Sequence, residues 1–115
     1  MRYMMLIYLN ESGFDVLSEA EQKAGLVEYQ AFTTEVRRAG VLERGEPLAR
    51  STSATTVRIA NGKRITTDGP FAETKEQLAG YYILDCKTLD DALAYAAKIP
   101  AARYGAIEVR PIASS

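Results

Sequence analysis

Arg2-Tyr3-Met4-Met5-Leu6-Ile7-Tyr8-Leu9 opens the chain with a run of strand length that is almost all apolar or aromatic. A strand with one wet face alternates polar and apolar residues, and this run does not alternate. It therefore reads as a strand covered on both faces, at the centre of its sheet. Working outward, Ser18-Glu19-Ala20-Glu21 is a capping box: Ser18 accepts from the Glu21 amide, and the Glu21 carboxylate reaches back. The helix it starts is expected to run to about Ala39 and to end at Gly40 in the left-handed conformation. Leu26, Tyr29, Phe32, Thr33 and Val36 share one stripe at helical spacing. Gly25 lies on the same stripe, and its preferred reading is close packing against the sheet, the alternative being a tolerated defect of about 1 kcal/mol.

Val41 to Ala49 holds a second strand, broken near Glu46-Pro47, and Thr55 to Ile59 alternates as a third. Asn61-Gly62 signals a hairpin. A two-residue loop would set Ile59 opposite Arg64. A three-residue loop, Ala60-Asn61-Gly62, sets Ile59 against Lys63 and Val57 against Ile65, which keeps the apolar residues on one face, so the second register is expected. Gly80 to Cys86 is the next strand. Thr88 caps a second helix with Asp91 near its positive end, Leu89, Ala92, Leu93 and Ala96 form its stripe, and Pro100 stops it. Ala106 to Arg110 closes the chain as a strand. The order is β-α-β, an inserted hairpin, then β-α-β. This predicts an α+β, ferredoxin-like βαββαβ domain spanning residues 1–115, with both helices on one sheet face. The strands look apolar on both faces and no third helix is expected, so a second subunit is the expected cover, in a homodimer packed sheet to sheet.

Bulk properties narrow the function classes. A chain of 115 residues, 47% hydrophobic and 25% charged, is one soluble-type domain. A formal charge of −1 with only scattered basic pairs argues against direct nucleic-acid binding, which needs a clustered positive field. The N-terminal apolar run is too short to span a membrane and lacks a small-residue cleavage site. With one cysteine there is no intrachain disulfide, and a cytoplasmic location without membrane contact is the expectation. The chain has no histidine, so neither a Ser-His-Asp constellation nor an imidazole metal site can be built. No acidic spacing resembles an ion loop and no glycine-rich phosphate cradle is present, so neither a metal nor a cofactor is expected.

The loop Asp68-Gly69-Pro70-Phe71-Ala72-Glu73-Thr74-Lys75-Glu76 resembles the signature of the YCII-related family, DGPF subgroup. The likeness extends to Arg2–Tyr8, Ala54–Arg58, Gly80–Tyr82 and Ile107–Pro111. The resemblance implies a dimeric α/β-barrel. In the wider family a His-Asp pair in a pocket is the basis for expecting small enzymes; here Asp68 matches the aspartate and its histidine is absent. Some relatives are fused to or encoded beside extracytoplasmic-function sigma factors, which implies a transcription-related protein partner as another role.

General acid–base chemistry is left to Asp, Glu, Lys or Tyr. Asp68 reads either as a carboxylate at a pocket mouth or as an Asx-turn residue bonding the backbone ahead of it. Phe71 either lines a ligand site or plugs the loop onto the core, the plug being preferred. Glu73, Lys75 and Glu76 are solvated charges, or one of them, Lys75 or Glu76, turns inward to pair with Arg58 or Asp68. Tyr81 and Tyr82 must lie on opposite faces of a strand, one under a helix and one facing the partner or a cavity. The candidate catalytic residues are therefore Asp68 and Tyr82, and the candidate ligand contacts are Gly69, Pro70, Phe71, Lys75, Glu76 and Tyr81. Three functional readings follow: a small-molecule binder or cofactor-free enzyme, a regulatory module, or a structural dimer without catalysis.

Overall fold

A computed structural model describes residues 1–114. Strand β1 (Arg2–Leu9) pairs antiparallel with β5 (Gln77–Asp85) on one side and β6 (Ala106–Pro111) on the other, and β2 (Leu42–Pro47) adds to the outer edge of β5. The sheet order β2-β5-β1-β6 is that of a ferredoxin-like α+β domain, with the apolar opening run in the interior as its composition requires. Tyr3, Met5, Ile7, Tyr82 and Leu84 point to one face, where they meet Phe32 and Val36 of α2 (Glu19–Arg38) and Ala92 and Ala96 of α3 (Leu89–Ala96). Among the described residues this core holds no buried polar or charged residue apart from the tyrosine hydroxyls. The opposite face carries Met4, Leu6, Tyr8 and Tyr81, all partly exposed, with Ile83 buried among them.

Helix α2 begins and ends as its sequence directs. Ser18 accepts from the Glu21 amide at 3.1 Å and Glu21 accepts from the Ser18 amide at 3.0 Å, while Gly40 follows the C-cap at φ 76°. Its stripe is narrower than expected: Leu26 is exposed, and Phe32 and Val36 carry the burial. Gly25 is not a close-packing site, since a Cβ there would meet nothing within 4 Å. A short helix the sequence reading omitted, α1 (Glu11–Asp15), sits between β1 and α2, started by Asn10 accepting from the Ser12 amide at 3.0 Å. Helix α3 ends before Pro100, which opens a 3-10 turn to Arg103.

Strands β3 (Thr55–Ala60) and β4 (Lys63–Asp68) form a separate two-stranded sheet. Its register corrects the expected three-residue loop: Ala60 opposes Lys63 and Ile59 opposes Arg64, so the turn is Asn61-Gly62 alone. Both turn residues have positive φ, 52° and 75°, the requirement of a type I′ turn. Face consistency loses here because neither face of the hairpin is buried in the protomer, so nothing penalises splitting Val57 and Ile59 from Ile65. The turn chemistry alone sets the register.

Candidate functional site

Helix α2 does not lie flush on the outer half of the sheet. Tyr29, Thr33 and Arg37 recur every four residues along one side of the helix and wall a half-open recess of about 730 Å³. Ile7, Leu9, Leu42, Gly45 and Tyr82 contribute the sheet side, together with Pro47, Ala79 and Gly80. The rise of the helix from Leu26 to Arg37 makes the recess about 16 Å long.

Tyr82 is fixed from three directions. Its hydroxyl shares a hydrogen bond of 2.9 Å with Thr33 Oγ1, and its ring meets Phe32 edge-on with centroids 5.1 Å apart. Beneath the ring is Gly45, paired with Tyr82 in the β2–β5 ladder. A Cβ on Gly45 would stand 2.5 Å from Tyr82 Cδ1, so only glycine permits the ring to lie flat across the edge strand. Tyr29 is half-buried, and burial pushes its phenol well above the usual tyrosine range; the nearby Tyr104 hydroxyl adds to this and the Ala101 backbone opposes it. The remaining ionisable groups around the recess are Arg37, Arg44, Glu46 and Tyr81. Arg44 and Glu46 belong by strand alternation to the far face of the edge strand. The recess therefore offers hydroxyls and one guanidinium on an apolar floor.

The loop from Asp68 to Glu76 lies elsewhere. Asp68 ends β4 opposite Thr55, with an exposed side chain, and Gly69 turns the chain at φ 95°. The turn is held by the Gly69 amide donating to the Ala54 carbonyl at 2.7 Å and by the Thr56 hydroxyl donating to the Gly69 carbonyl at 2.8 Å. Phe71 is 78% exposed, so the expected plug onto the protomer's own core is not formed. Lys75 is exposed and Glu76 half-exposed, and neither makes the expected ion pair with Arg58 or Asp68. The end of the loop is tied down by Gln77, which donates to the Thr74 carbonyl at 2.6 Å and accepts from the Glu11 amide at 3.0 Å. Of the candidate residues, Tyr81 and Tyr82 border the recess; Asp68, Gly69, Pro70, Phe71, Lys75 and Glu76 do not. Thr33, Tyr29 and Gly45 are the residues the sequence reading passed over as site residues. The i, i+4 hydroxyl pair on α2 was the only signal for Tyr29 and Thr33, and Gly45 gave none.

A second recess of about 710 Å³ lies between the end of α2 and α3, but its Glu35 and Lys98 are already paired at 2.6 Å. Cys86, beside it, is buried, and burial raises its thiol above the ordinary range, with Asp91 and Asp85 adding to the effect. Among the described residues no three His, Cys, Asp or Glu side chains are grouped to hold a metal ion, and no helix is long and apolar enough to cross a membrane.

A family model described as "YCII-related domain" matches residues 1–114. An "Uncharacterized protein R00369" from Rhizobium meliloti (strain 1021) is 40% identical over 115 residues, spanning 98% of this chain and 93% of that protein.

Proposed function

The chain belongs to the YCII-related family, and on that premise we propose that it is a small-molecule-binding protein that works as a homodimer, its ligand seated between α2 and the β2–β5 edge. The observation that carries the reading is the recess of about 730 Å³, within the roughly 300–1,000 Å³ span of small-molecule sites. Its apolar floor and hydroxyl wall suit a compact, largely apolar ligand oriented by a few hydrogen bonds to Tyr29, Thr33 and Tyr82. The dimer is supported by the uncovered sheet face, where Met4, Leu6, Tyr8 and Tyr81 remain partly exposed. The Asp68–Glu76 loop enters this reading through the second chain: a loop from the partner is the route by which Asp68, Phe71 or Lys75 reaches a bound ligand.

The test is a fragment screen followed by amide chemical-shift mapping on the isotope-labelled protein. Ligands are expected to move the amides of Tyr29, Thr33, Gly45 and Tyr82, and Asp68→Asn is expected to leave that map intact. Fragments that bind only around residues 68–76, or a folded protein that binds none, would sink the proposal.

A further inference from the structure

We infer that the β3–β4 hairpin is an intermolecular clasp: it leaves its own protomer and lays the side bearing Val57 and Ile59 against the body of a second copy of the chain. The inference rests on the homodimer proposed above and adds to it a contact distinct from the sheet-to-sheet face.

The first observation is that the hairpin has no home in its own protomer. It is hydrogen-bonded to no other strand, and neither of its strands makes a substantial contact with another element. Val57 is 56% exposed, Ile59 69% and, on the other side, Ile65 48%. An isolated two-stranded hairpin is marginal in water and needs a further packing surface to be stable. The type I′ turn at Asn61-Gly62 nevertheless specifies one register, which is what a contact surface requires. The second observation is shape. The radius of gyration is 16.1 Å and the extents are 48 × 44 × 19 Å, whereas a compact chain of this length has a radius near 13 Å. The protomer is a flat body with a projecting arm.

The third observation selects the occupant. Arg58, Lys63 and Arg64 against Asp68 leave the arm at net +2, so the remainder of the chain stands at −3 within a total of −1. A basic arm and an acidic body on one chain are complementary between two copies related by a two-fold axis, each arm meeting the other's body. The same charges disfavour arm-to-arm pairing, which is the competing fate of an exposed edge.

Sedimentation velocity on the full chain across a concentration series provides the test, with the double variant Val57→Asp, Ile59→Asp and the sheet-face variant Leu6→Glu alongside the wild type. The arm variant is expected to keep its far-UV spectrum and to raise the dimer dissociation constant at least about tenfold. A folded arm variant with the wild-type constant overturns the clasp. If that result comes with dissociation by Leu6→Glu, the sheet-face dimer stands without the clasp; a wild type that is monomeric at every concentration removes both. Hydrogen exchange on the wild type gives a second readout that does not depend on a variant folding. Protection of amides 55–68 rising with protein concentration supports the clasp, and protection independent of concentration overturns it.

Discussion

Gly45→Ala isolates the contact on which the recess depends. The added methyl would sit 2.5 Å from Tyr82 Cδ1, 2.9 Å from Cε1 and 3.0 Å from the Tyr81 carbonyl oxygen. The ring cannot slide aside freely, because it packs in a T-shaped pair with Phe32 and its hydroxyl is tied to Thr33. Overpacking of this kind costs about 1–3 kcal/mol, and loss of the Tyr82–Thr33 hydrogen bond adds about 1 kcal/mol. Replacing glycine in a strand returns roughly 0.5–1 kcal/mol through the unfolded chain. The net destabilisation is therefore about 1–3 kcal/mol, and at about 4 °C per kcal/mol for a chain of this length the melting temperature should fall by about 4–12 °C. Thermal and urea unfolding followed by circular dichroism measure it, together with the same substitution in a Tyr82→Ala background. If the ring is the obstacle, most of the cost of Gly45→Ala disappears in that background. A Gly45→Ala protein as stable as the wild type, or a cost that persists without the ring, would refute the account of how Tyr82 is held.

Ser18→Ala removes one half of the capping box and should cost about 1 kcal/mol, a fall of about 4 °C in melting temperature, whereas Ser18→Asp should retain most of the stability. At alkaline pH the half-buried Tyr29 makes a signed prediction. Its phenol titrates higher folded than unfolded, so its contribution is fully present below the unfolded value near pH 10 and is lost as pH rises beyond it. Melting curves of the wild type and Tyr29→Phe should run parallel from pH 7 to about 9.5, and above about pH 10 the wild type should lose stability more steeply. Cys86, buried and with a thiol raised above the ordinary range, should resist an aromatic disulfide reagent in the native protein and react fully once urea unfolds it; rapid native labelling would show that the end of β5 opens locally.

What the sequence disclosed and what it hid divide along one physical line. The unalternating run of β1, the Ser18–Glu21 box, the Gly40 terminus and the Thr88 cap are local patterns with one structural solution each, and the sheet order follows from them. The expected hairpin register differs from the observed one because face consistency decides a register only where a face is buried, and neither face of the hairpin is buried within the protomer. Phe71 differs from expectation for the same reason: an aromatic in a loop packs onto its own core only where that core is within reach, and Phe71 is exposed. The recess was hidden for a different reason. It lies between α2 and the β2–β5 edge, which meet only in the folded chain, and Tyr82 is seated there by the absence of a Cβ at Gly45. Nothing in a single glycine between Arg44 and Glu46 indicates that a tyrosine thirty-seven positions later lies across it.

On the binding reading proposed above, the groups around the recess act by hydrogen bonding rather than by proton transfer. A general base or acid works when its affinity for protons is matched to the operating pH and it stands within reach of the reacting group. The described residues bury no carboxylate and no amine, and all six ion pairs lie at the surface. Within the recess the phenol of Tyr29 is driven further from neutrality than a free tyrosine, which makes it a poorer acid. The hydroxyl of Tyr82 is already engaged with Thr33. Both can orient a ligand by hydrogen bonding, and the raised phenol of Tyr29 is poorly suited to give up a proton at neutral pH. Under the homodimer proposed above, a second chain is the route by which the exposed carboxylate of Asp68 would reach such a pocket.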